Sequence, residues 1–351
     1  MVPGSMPKII FVLFCKGEVI FAENIQLNKS IKIFFNRIVG PVIFIILSIS
    51  LYNQIVQQPD VLTKWQVIKD SFFAPAFWFT VILMFLNWGI EARKWQLQLQ
   101  PLEKVSWLTA FKSVFAGCSI TMITPYRVGE YAGRILYLKE ENRTDAIPIN
   151  ILGSISQLFI TLIMGTGGLI YLKYSGDDLL LFKSLPAHTG DVLLFSSIIT
   201  SFIFLLIYFK VNIVVKQLAK ISFLNKFVIH LSLLNSFSRK QLLRILFLSF
   251  LRYMVFILQY VLLLHVMQVE ISFFTCFRLL TVFYLIMAMA PTIGFTELPL
   301  RAAAGVQVLQ LYSNNVIGIQ AASLGIWIIN LVLPAIAGSL LILGIKILKE
   351  R

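Results

Sequence analysis

Charged residues are scarce in this chain, at 13% of 351 residues, whereas an ordinary soluble domain has about 25%. Hydrophobic residues make up 58% of the sequence and the mean hydropathy is +0.85. Long apolar runs with so few charges are typical of segments that cross a bilayer. The sequence therefore predicts an integral membrane protein.

Residues that build metal sites and disulfides are equally scarce. The chain has three cysteines and three histidines, all far apart: Cys15, Cys118, Cys276, His188, His230 and His265. None of these spacings matches a metal site or a disulfide framework, and no phosphate-binding loop or hydrolase motif is present. We therefore predict no catalytic residues, no metal and no cofactor.

Acidic residues are few compared with basic ones, 16 against 30, which gives a net charge of +14. In membrane proteins such an excess usually lies in cytoplasmic loops. No basic soluble domain is present, so nucleic acid is not an expected partner. The basic segments near residue 30, over 210–240 and at the C-terminus predict a cytoplasmic-membrane protein with both termini inside.

Apolar runs of spanning length predict the membrane topology. We expect full spans at 38–56, 72–90, 147–171, 192–209, 241–267 and 316–345. Residues 1–30 form an N-terminal segment too short to span, and Met1–Ser5 resembles a cloning remnant. The segment Glu91–Trp95 is predicted to be a basic, aromatic anchor at the cytoplasmic interface, with Trp88 in the same aromatic belt.

Each full span moves the chain to the other side of the membrane. For the basic loops to lie inside, the segments 105–143 and 270–313 must each enter and leave on the same face. Each is broken near its middle, at Pro125 and at Pro291, and proline disfavours helix at the preceding residue. We predict an all-α membrane protein with about six full spans and two re-entrant helical hairpins. Their opposite directions predict an inverted-topology repeat of 31–210 and 211–351.

Both hairpins carry related polar motifs. Each has a proline, a glycine, a glutamate and then an arginine four residues later: Pro125, Gly129, Glu130 and Arg134, and Pro291, Gly294, Glu297 and Arg301. Charges at membrane depth are costly and usually have a role. The alternative is that the glutamate and the arginine of each pair only neutralise each other, or that they lie at the membrane interface.

The first motif predicts an anion site. If a helix begins near Pro125, then Arg127, Glu130 and Arg134 share one face, and the helix N-terminus beside Arg127 suits a phosphate. The Gly129–Gly133 spacing favours close helix contact. In the second hairpin, Pro299 is predicted to interrupt the helix near its start.

Other polar residues in the spans are candidates for the same site. Asn150, Ser154, Gln157 and Thr161 form a stripe at helical spacing, which either faces a cavity or joins neighbouring helices. Arg252 lies near the middle of its span, where it either snorkels or contacts a headgroup. We include Gln157 and Arg252 among the predicted substrate-binding residues, with Arg127, Glu130, Arg134, Glu297 and Arg301.

These motifs resemble the flippase-like membrane domain of bacterial lysylphosphatidylglycerol synthases, especially stand-alone members without the synthase half. The resemblance rests on residues 124–134 and on Pro291, Gly294 and Glu297, and extends in length and hydropathy over nearly the whole chain. It implies a non-enzymatic flippase that moves a phospholipid between leaflets by alternating access, with aminoacylated phosphatidylglycerol as one candidate cargo. Membrane phospholipid is the implied partner, and a homo-oligomer is compatible with the sequence.

Three other functions are compatible with the residues. A secondary transporter of a soluble anion or a polyprenyl-phosphate carrier would use the same hairpins, which proteins of the DedA type also have. A membrane enzyme acting on lipid phosphate would need a nucleophile or a metal cluster. A scaffold could dock a partner through the basic loop 210–240.

Overall fold

A computed structural model describes residues 61–124, 128–175, 188–218, 230–289 and 297–343, which are helical apart from short connections. The α-helices are α1 Val61–Ser71, α2 Pro75–Gln98, α3 Trp107–Ile123, α4 Gly129–Ile135, α5 Arg143–Ser175, α6 Thr189–Phe209, α7 Val211–Leu218, α8 Arg239–Val266, α9 Phe273–Met289, α10 Glu297–Leu309, α11 Val316–Trp327 and α12 Leu333–Leu343. Short 3-10 turns occupy Glu140–Asn142 and Ser232–Ser236.

Five helical runs are long and apolar enough to cross a membrane: Pro75–Gln98, Glu140–Ser175, Thr189–Phe209, Arg239–Val266 and Val316–Ile342. They match five of the predicted spans, so the all-α, multi-pass prediction is confirmed. The predicted span 38–56 and the segment 1–30 lie outside the described residues. Two bounds differ from the prediction by about two turns: α2 continues to Gln98 and does not end at 90, and the run predicted to begin at 147 begins at Glu140.

Side chains fix the starts of several helices. Ser106 caps α3 by accepting a hydrogen bond from the Thr109 amide at 3.0 Å. Ser238 and Gln241 form a reciprocal capping box at the start of α8. Proline at the first position of α2 has no N–H to leave unpaired. The basic segment 210–240 is partly helical, because α7 lies within it.

The first predicted hairpin consists of α3 and α4, which pack side by side in opposite directions. Ser113 Oγ donates to the Arg134 carbonyl oxygen at 2.7 Å, and the Gly129 amide donates to Thr124 Oγ1 at 2.9 Å. A Cβ at Gly133 would lie 2.4 Å from the Ala116 carbonyl oxygen. The glycine pair therefore allows backbone contact between the two helices, as the sequence predicted.

The second predicted hairpin consists of α9 and α10. The Arg301 guanidinium lies 5.8 Å from the Phe283 ring centroid, which joins the two helices. The prediction that Pro299 interrupts this helix was wrong, because α10 begins at Glu297 and runs through it. Pro299 occupies the first turn, where no intrahelical partner is lost.

Helices from the first half of the chain pack against helices from the second half. Helices α2 and α8 run antiparallel against each other, joined by the Gln259 side-chain amide, which donates to the Thr80 carbonyl at 2.9 Å. Helix α12 packs on α3, where Gly338 meets the Phe115 backbone. Helix α5 packs on α9, where Gly168 meets Thr281. Each hairpin thus contacts a spanning helix from the other half of the chain.

The last span changes its winding near its middle. A π-helical turn over Ile328–Val332 separates α11 from α12. Asn330 lies in this turn and donates to the Ile326 carbonyl at 3.2 Å. Such turns bend helices, and Pro334 follows this one by two residues.

Candidate functional site

Five charged side chains meet in the interior where α2, α4 and α8 converge. We call them the five-charge cluster: Glu91, Lys94, Glu130, Arg134 and Arg252. Glu91 Oε1 accepts a hydrogen bond from Arg134 Nη2 at 2.9 Å, and Glu91 Oε2 forms ion pairs with Lys94 Nζ at 2.8 Å and Arg252 Nη1 at 3.2 Å. Arg134 also pairs with Glu130. Glu91 is thus the carboxylate shared by all three cations.

Helical spacing explains why α2 contributes two of these charges. Glu91 and Lys94 are three residues apart and lie on the same buried face as Ala92 and Trp95, whereas Arg93 is exposed. Only 3% of the Glu91 side chain and 2% of the Lys94 side chain are exposed. The prediction that Glu91–Trp95 forms an interfacial anchor was therefore wrong for every residue except Arg93.

Aromatic and amide groups hold the arginines in place. The Arg252 guanidinium lies 4.8 Å from the Trp88 ring centroid and 5.1 Å from that of Phe256. Its Nε donates to Asn87 Oδ1 at 2.8 Å. Trp88 is 7% exposed, so its predicted place in an interfacial belt was wrong. It forms part of the wall of the cluster.

The polar stripe of α5 faces the hairpin and α8. The Tyr131 hydroxyl donates to Ser154 Oγ at 3.4 Å, and Gln157 Nε2 donates to the Ser249 carbonyl at 3.3 Å. Ser249 also lies 3.5 Å from Lys94 Nζ. The stripe and the five-charge cluster therefore belong to one polar region inside an apolar bundle.

Several buried polar atoms in this region have no hydrogen-bond partner among the described residues. They are Asn87 Nδ2, Trp88 Nε1, Glu91 Oε2, both amide atoms of Gln98, Arg134 Nε, Asn150 Nδ2 and Gln157 Oε1. Buried polar groups in proteins are almost always paired with protein or with ordered water. This concentration of unpaired donors and acceptors marks the region as one suited to water or to a polar ligand.

Three cations against two carboxylates leave the five-charge cluster with a formal charge of +1. An anion that entered would balance this charge, and arginine binds phosphate through two parallel hydrogen bonds. The members differ in access: 25% of the Glu130 side chain and 12% of the Arg252 side chain are exposed, but only 1% of Arg134. Glu130 and Arg252 are therefore the members that a ligand can reach first.

The second hairpin carries a smaller site. Arg301 Nη2 lies 2.8 Å from Glu297 Oε1, and 13% and 10% of these side chains are exposed. An aromatic wall formed by Tyr260, Phe283 and Tyr284 lies beside the pair. We call this the Glu297–Arg301 site. Arg301 and Glu297 are in direct contact, and this pair has a formal charge of zero.

A comparison with protein families gives a match over residues 38–338 to the family described as the lysylphosphatidylglycerol synthase TM region. The match covers most of the chain, both hairpins and every residue of the two sites. The chain belongs to this family. No match was found among curated proteins or among solved structures.

The structure of this lysylphosphatidylglycerol synthase TM-region protein brings together most of the predicted site residues that it describes. Glu130, Arg134 and Arg252 meet in the five-charge cluster, Gln157 borders it, and Glu297 and Arg301 pair separately. Both Glu–Arg pairs form internal ion pairs, as the alternative interpretation of the motifs expected. Arg127, Pro125, Pro291 and Gly294 lie outside the described residues.

The start of the hairpin helix differs from the prediction. Helix α4 begins at Gly129, not near Pro125, and it has only seven residues. Arg127 lies outside the described residues, so its predicted place on one face with Glu130 and Arg134 stays a prediction. The described parts of the chain hold no group of three or more His, Cys, Asp or Glu residues placed to bind a metal ion.

Sequence reasoning missed Glu91 and Lys94. Their position directly after an apolar run resembles an interfacial anchor, which is why they were assigned to the membrane surface. A signal was present: Asn87, Glu91, Lys94 and Gln98 recur at helical spacing and continue one face of α2. That periodicity indicated a longer helix with a polar buried face.

Proposed function

We propose that this protein moves a phospholipid between the two leaflets of the membrane, with the five-charge cluster as the binding site for the lipid phosphate. The observation that carries the proposal is the cluster itself. Residues distant in sequence, on α2, α4 and α8, bring three cations and two carboxylates together in the interior.

The energetic cost of these charges supports a functional role. On insertion scales a charged residue at the centre of a spanning helix costs about 2.5–3.5 kcal/mol. Five such residues lie within or next to the apolar spans here, and Arg252 lies at the midpoint of α8. Apolar side chains of similar volume would fill the same space at lower cost, so stability alone does not account for the cluster.

The reciprocal packing supports an inverted-topology repeat with two re-entrant hairpins. In such a repeat, equivalent helices are related by an axis in the membrane plane and run in opposite directions. Helices α2 and α8 are antiparallel, and each hairpin packs on the span that follows the hairpin of the other repeat, α3 on α12 and α9 on α5. The repeats lie within 31–210 and 211–351, with both termini on the cytoplasmic side.

In the proposed mechanism each site acts in one of two alternating states. Arg252 and Glu130 are the exposed members of the five-charge cluster and contact the headgroup, Arg252 its phosphate and Glu130 an amine. Arg134 and Lys94 position Glu91 and Glu130 but do not reach the ligand themselves. The Glu297–Arg301 site, at the tip of the opposite hairpin, contacts the same headgroup in the other state.

The test is a leaflet-accessibility assay in proteoliposomes. Fluorescent phosphatidylglycerol, aminoacylated phosphatidylglycerol and phosphatidylcholine are compared for wild type and for Arg252→Gln. We expect protein-dependent translocation of at least one lipid, and a loss of about tenfold or more in the variant, the effect of one charge-assisted hydrogen bond. The headgroup that translocates fastest identifies the cargo.

Arg239→Gln is the matched control, because Arg239 lies on the same helix but is exposed. It should translocate lipid at the wild-type rate. If folded wild-type protein translocates none of the lipids, the flippase proposal is wrong, and anion uptake into the same vesicles then tests the soluble-anion alternative. If Arg252→Gln leaves the rate unchanged, the site assignment is wrong.

A further inference from the structure

A groove on the outer surface of the bundle lies between the end of α2 and the start of α8. It encloses about 570 Å³ and is lined by Arg93, Lys240, Arg244, Leu97, Leu243 and Phe247. It is separate from the five-charge cluster. Arg93 points away from the buried face of α2, and Arg244 lies two turns before Arg252 on α8.

All three cations of this groove are exposed, and none forms an ion pair within the described part of the chain. Arg93 donates to Gln96 Oε1 at 2.5 Å, which is a contact with a neutral group. Three positive charges thus converge from two helices, and no carboxylate of a described residue balances them. Such an arrangement favours a ligand with net negative charge.

The rest of the groove is apolar and open to the surroundings. Leu243 is 56% exposed and Phe247 is 59% exposed. On α8, Leu243 and Phe247 are four residues apart and therefore lie on one face, next to Lys240 and Arg244. A row of exposed apolar side chains beside a cluster of cations matches a lipid, whose acyl chains adjoin its phosphate.

The depth of the groove in the membrane also fits a bound lipid. Helix α8 has 28 residues and is about 42 Å long. Centring it on a hydrocarbon core of about 30 Å puts Arg244 about 12 Å and Lys240 about 18 Å from the midplane. The two cations then lie on either side of the boundary between acyl chains and headgroups.

We propose that this groove binds an anionic glycerophospholipid, with Arg93, Lys240 and Arg244 on its phosphate and Leu243 and Phe247 against an acyl chain. Basic pockets between spanning helices at the membrane surface are known sites for anionic headgroups. The bound lipid fixes the start of α8 against the end of α2, the two helices that carry Arg252 and Glu91. The proposal does not depend on which cargo the protein moves.

The test is native mass spectrometry of the purified full-length protein with phosphatidylglycerol or phosphatidylcholine of the same chain length. Wild type should retain phosphatidylglycerol in preference to phosphatidylcholine. In Arg93→Gln/Arg244→Gln the preference should fall by about tenfold or more, as expected for loss of charge-assisted hydrogen bonds. Inorganic phosphate should not displace the lipid, because it offers no acyl chain to the apolar wall.

Arg239→Gln is the control, since it removes the same charge from an adjacent exposed position that does not line the groove. It should keep the wild-type preference. Phe247→Ala, which changes only the apolar wall, should weaken lipid retention without changing net charge. The proposal is overturned if the control loses as much preference as the double variant, if Phe247→Ala has no effect, or if phosphate displaces the lipid.

Discussion

The two hairpins carry the same Glu–Arg spacing in very different surroundings. In the first, Arg134 bonds to both Glu130 and Glu91, and through Glu91 it is joined to Lys94 and Arg252. In the second, Glu297 and Arg301 pair beside an aromatic wall. One motif is part of a network of five charges and the other pairs within its own helix.

This difference shows that a short motif does not determine the electrostatics of its site. The excess cation of the first site comes from α2 and α8, which bring one carboxylate and two cations to a pair that is neutral by itself. At the second site, no charged residue from another described helix joins the Glu–Arg pair. We expect the first site to depend on its neighbours for stability and the second to tolerate change.

The largest effect is expected for Glu91→Gln. The substitution leaves Lys94, Arg134 and Arg252 without their shared carboxylate in a buried site, and breaking a buried ion pair typically costs about 3–5 kcal/mol. The variant should lose most of its folded yield or melt at a much lower temperature. Size-exclusion chromatography and thermal unfolding of the purified protein measure this.

Glu103→Gln is a suitable control, because Glu103 is a partly buried carboxylate that accepts from Asn142 at 2.6 Å and forms no ion pair in the described residues. It should unfold close to the wild-type temperature. Wild-type stability in Glu91→Gln would contradict the claim that Glu91 holds the network together.

A smaller effect is expected for Glu297→Gln. Arg301 loses its charged partner, and a hydrogen bond to a charged group contributes about 1.5–3 kcal/mol, part of which glutamine can replace. The decrease in stability should therefore be well below that of Glu91→Gln. Thermal unfolding of both variants in the same detergent checks the order, with the exposed Glu270→Gln as control. An equal loss in both variants would remove the distinction between the sites.

The smallest effects are expected for substitutions at two glycines, Gly168 and Gly338, where a hairpin packs against a spanning helix. A Cβ at Gly168 would lie 2.1 Å from Thr281 Oγ1, and one at Gly338 would lie 1.9 Å from the Phe115 carbonyl oxygen. Overpacking costs about 1–3 kcal/mol, but alanine recovers up to about 1 kcal/mol of helix propensity relative to glycine. Gly168→Ala and Gly338→Ala should therefore each lower stability, Gly338→Ala by the larger amount because its new Cβ meets backbone atoms, which move aside less easily than a side chain.

Gly167→Ala is the matched control for both, because no atom lies within 4 Å of its added Cβ. It should be neutral or stabilising in the same thermal unfolding measurement. If Gly168→Ala or Gly338→Ala behaves like Gly167→Ala, that hairpin does not pack as closely as described.

The sequence predicted the fold better than the site. Apolar runs located the five described spans, because hydropathy acts locally. Glu91 and Lys94 were missed because their role depends on residues about 40 and 160 positions away, which helical packing brings together. Trp88 was misassigned for the same reason, since its partner Arg252 belongs to α8.

In the proposed mechanism both hairpin sites bind one lipid headgroup in alternating states. The most direct measurement is the lipid translocation rate of Glu130→Gln and Glu297→Gln side by side, with Glu141→Gln, an exposed carboxylate outside both sites, as control. We predict that both site variants lose about tenfold or more in rate, the effect of one charged contact, while the control keeps the wild-type rate. A loss in only one site variant, with both proteins folded, would contradict the account.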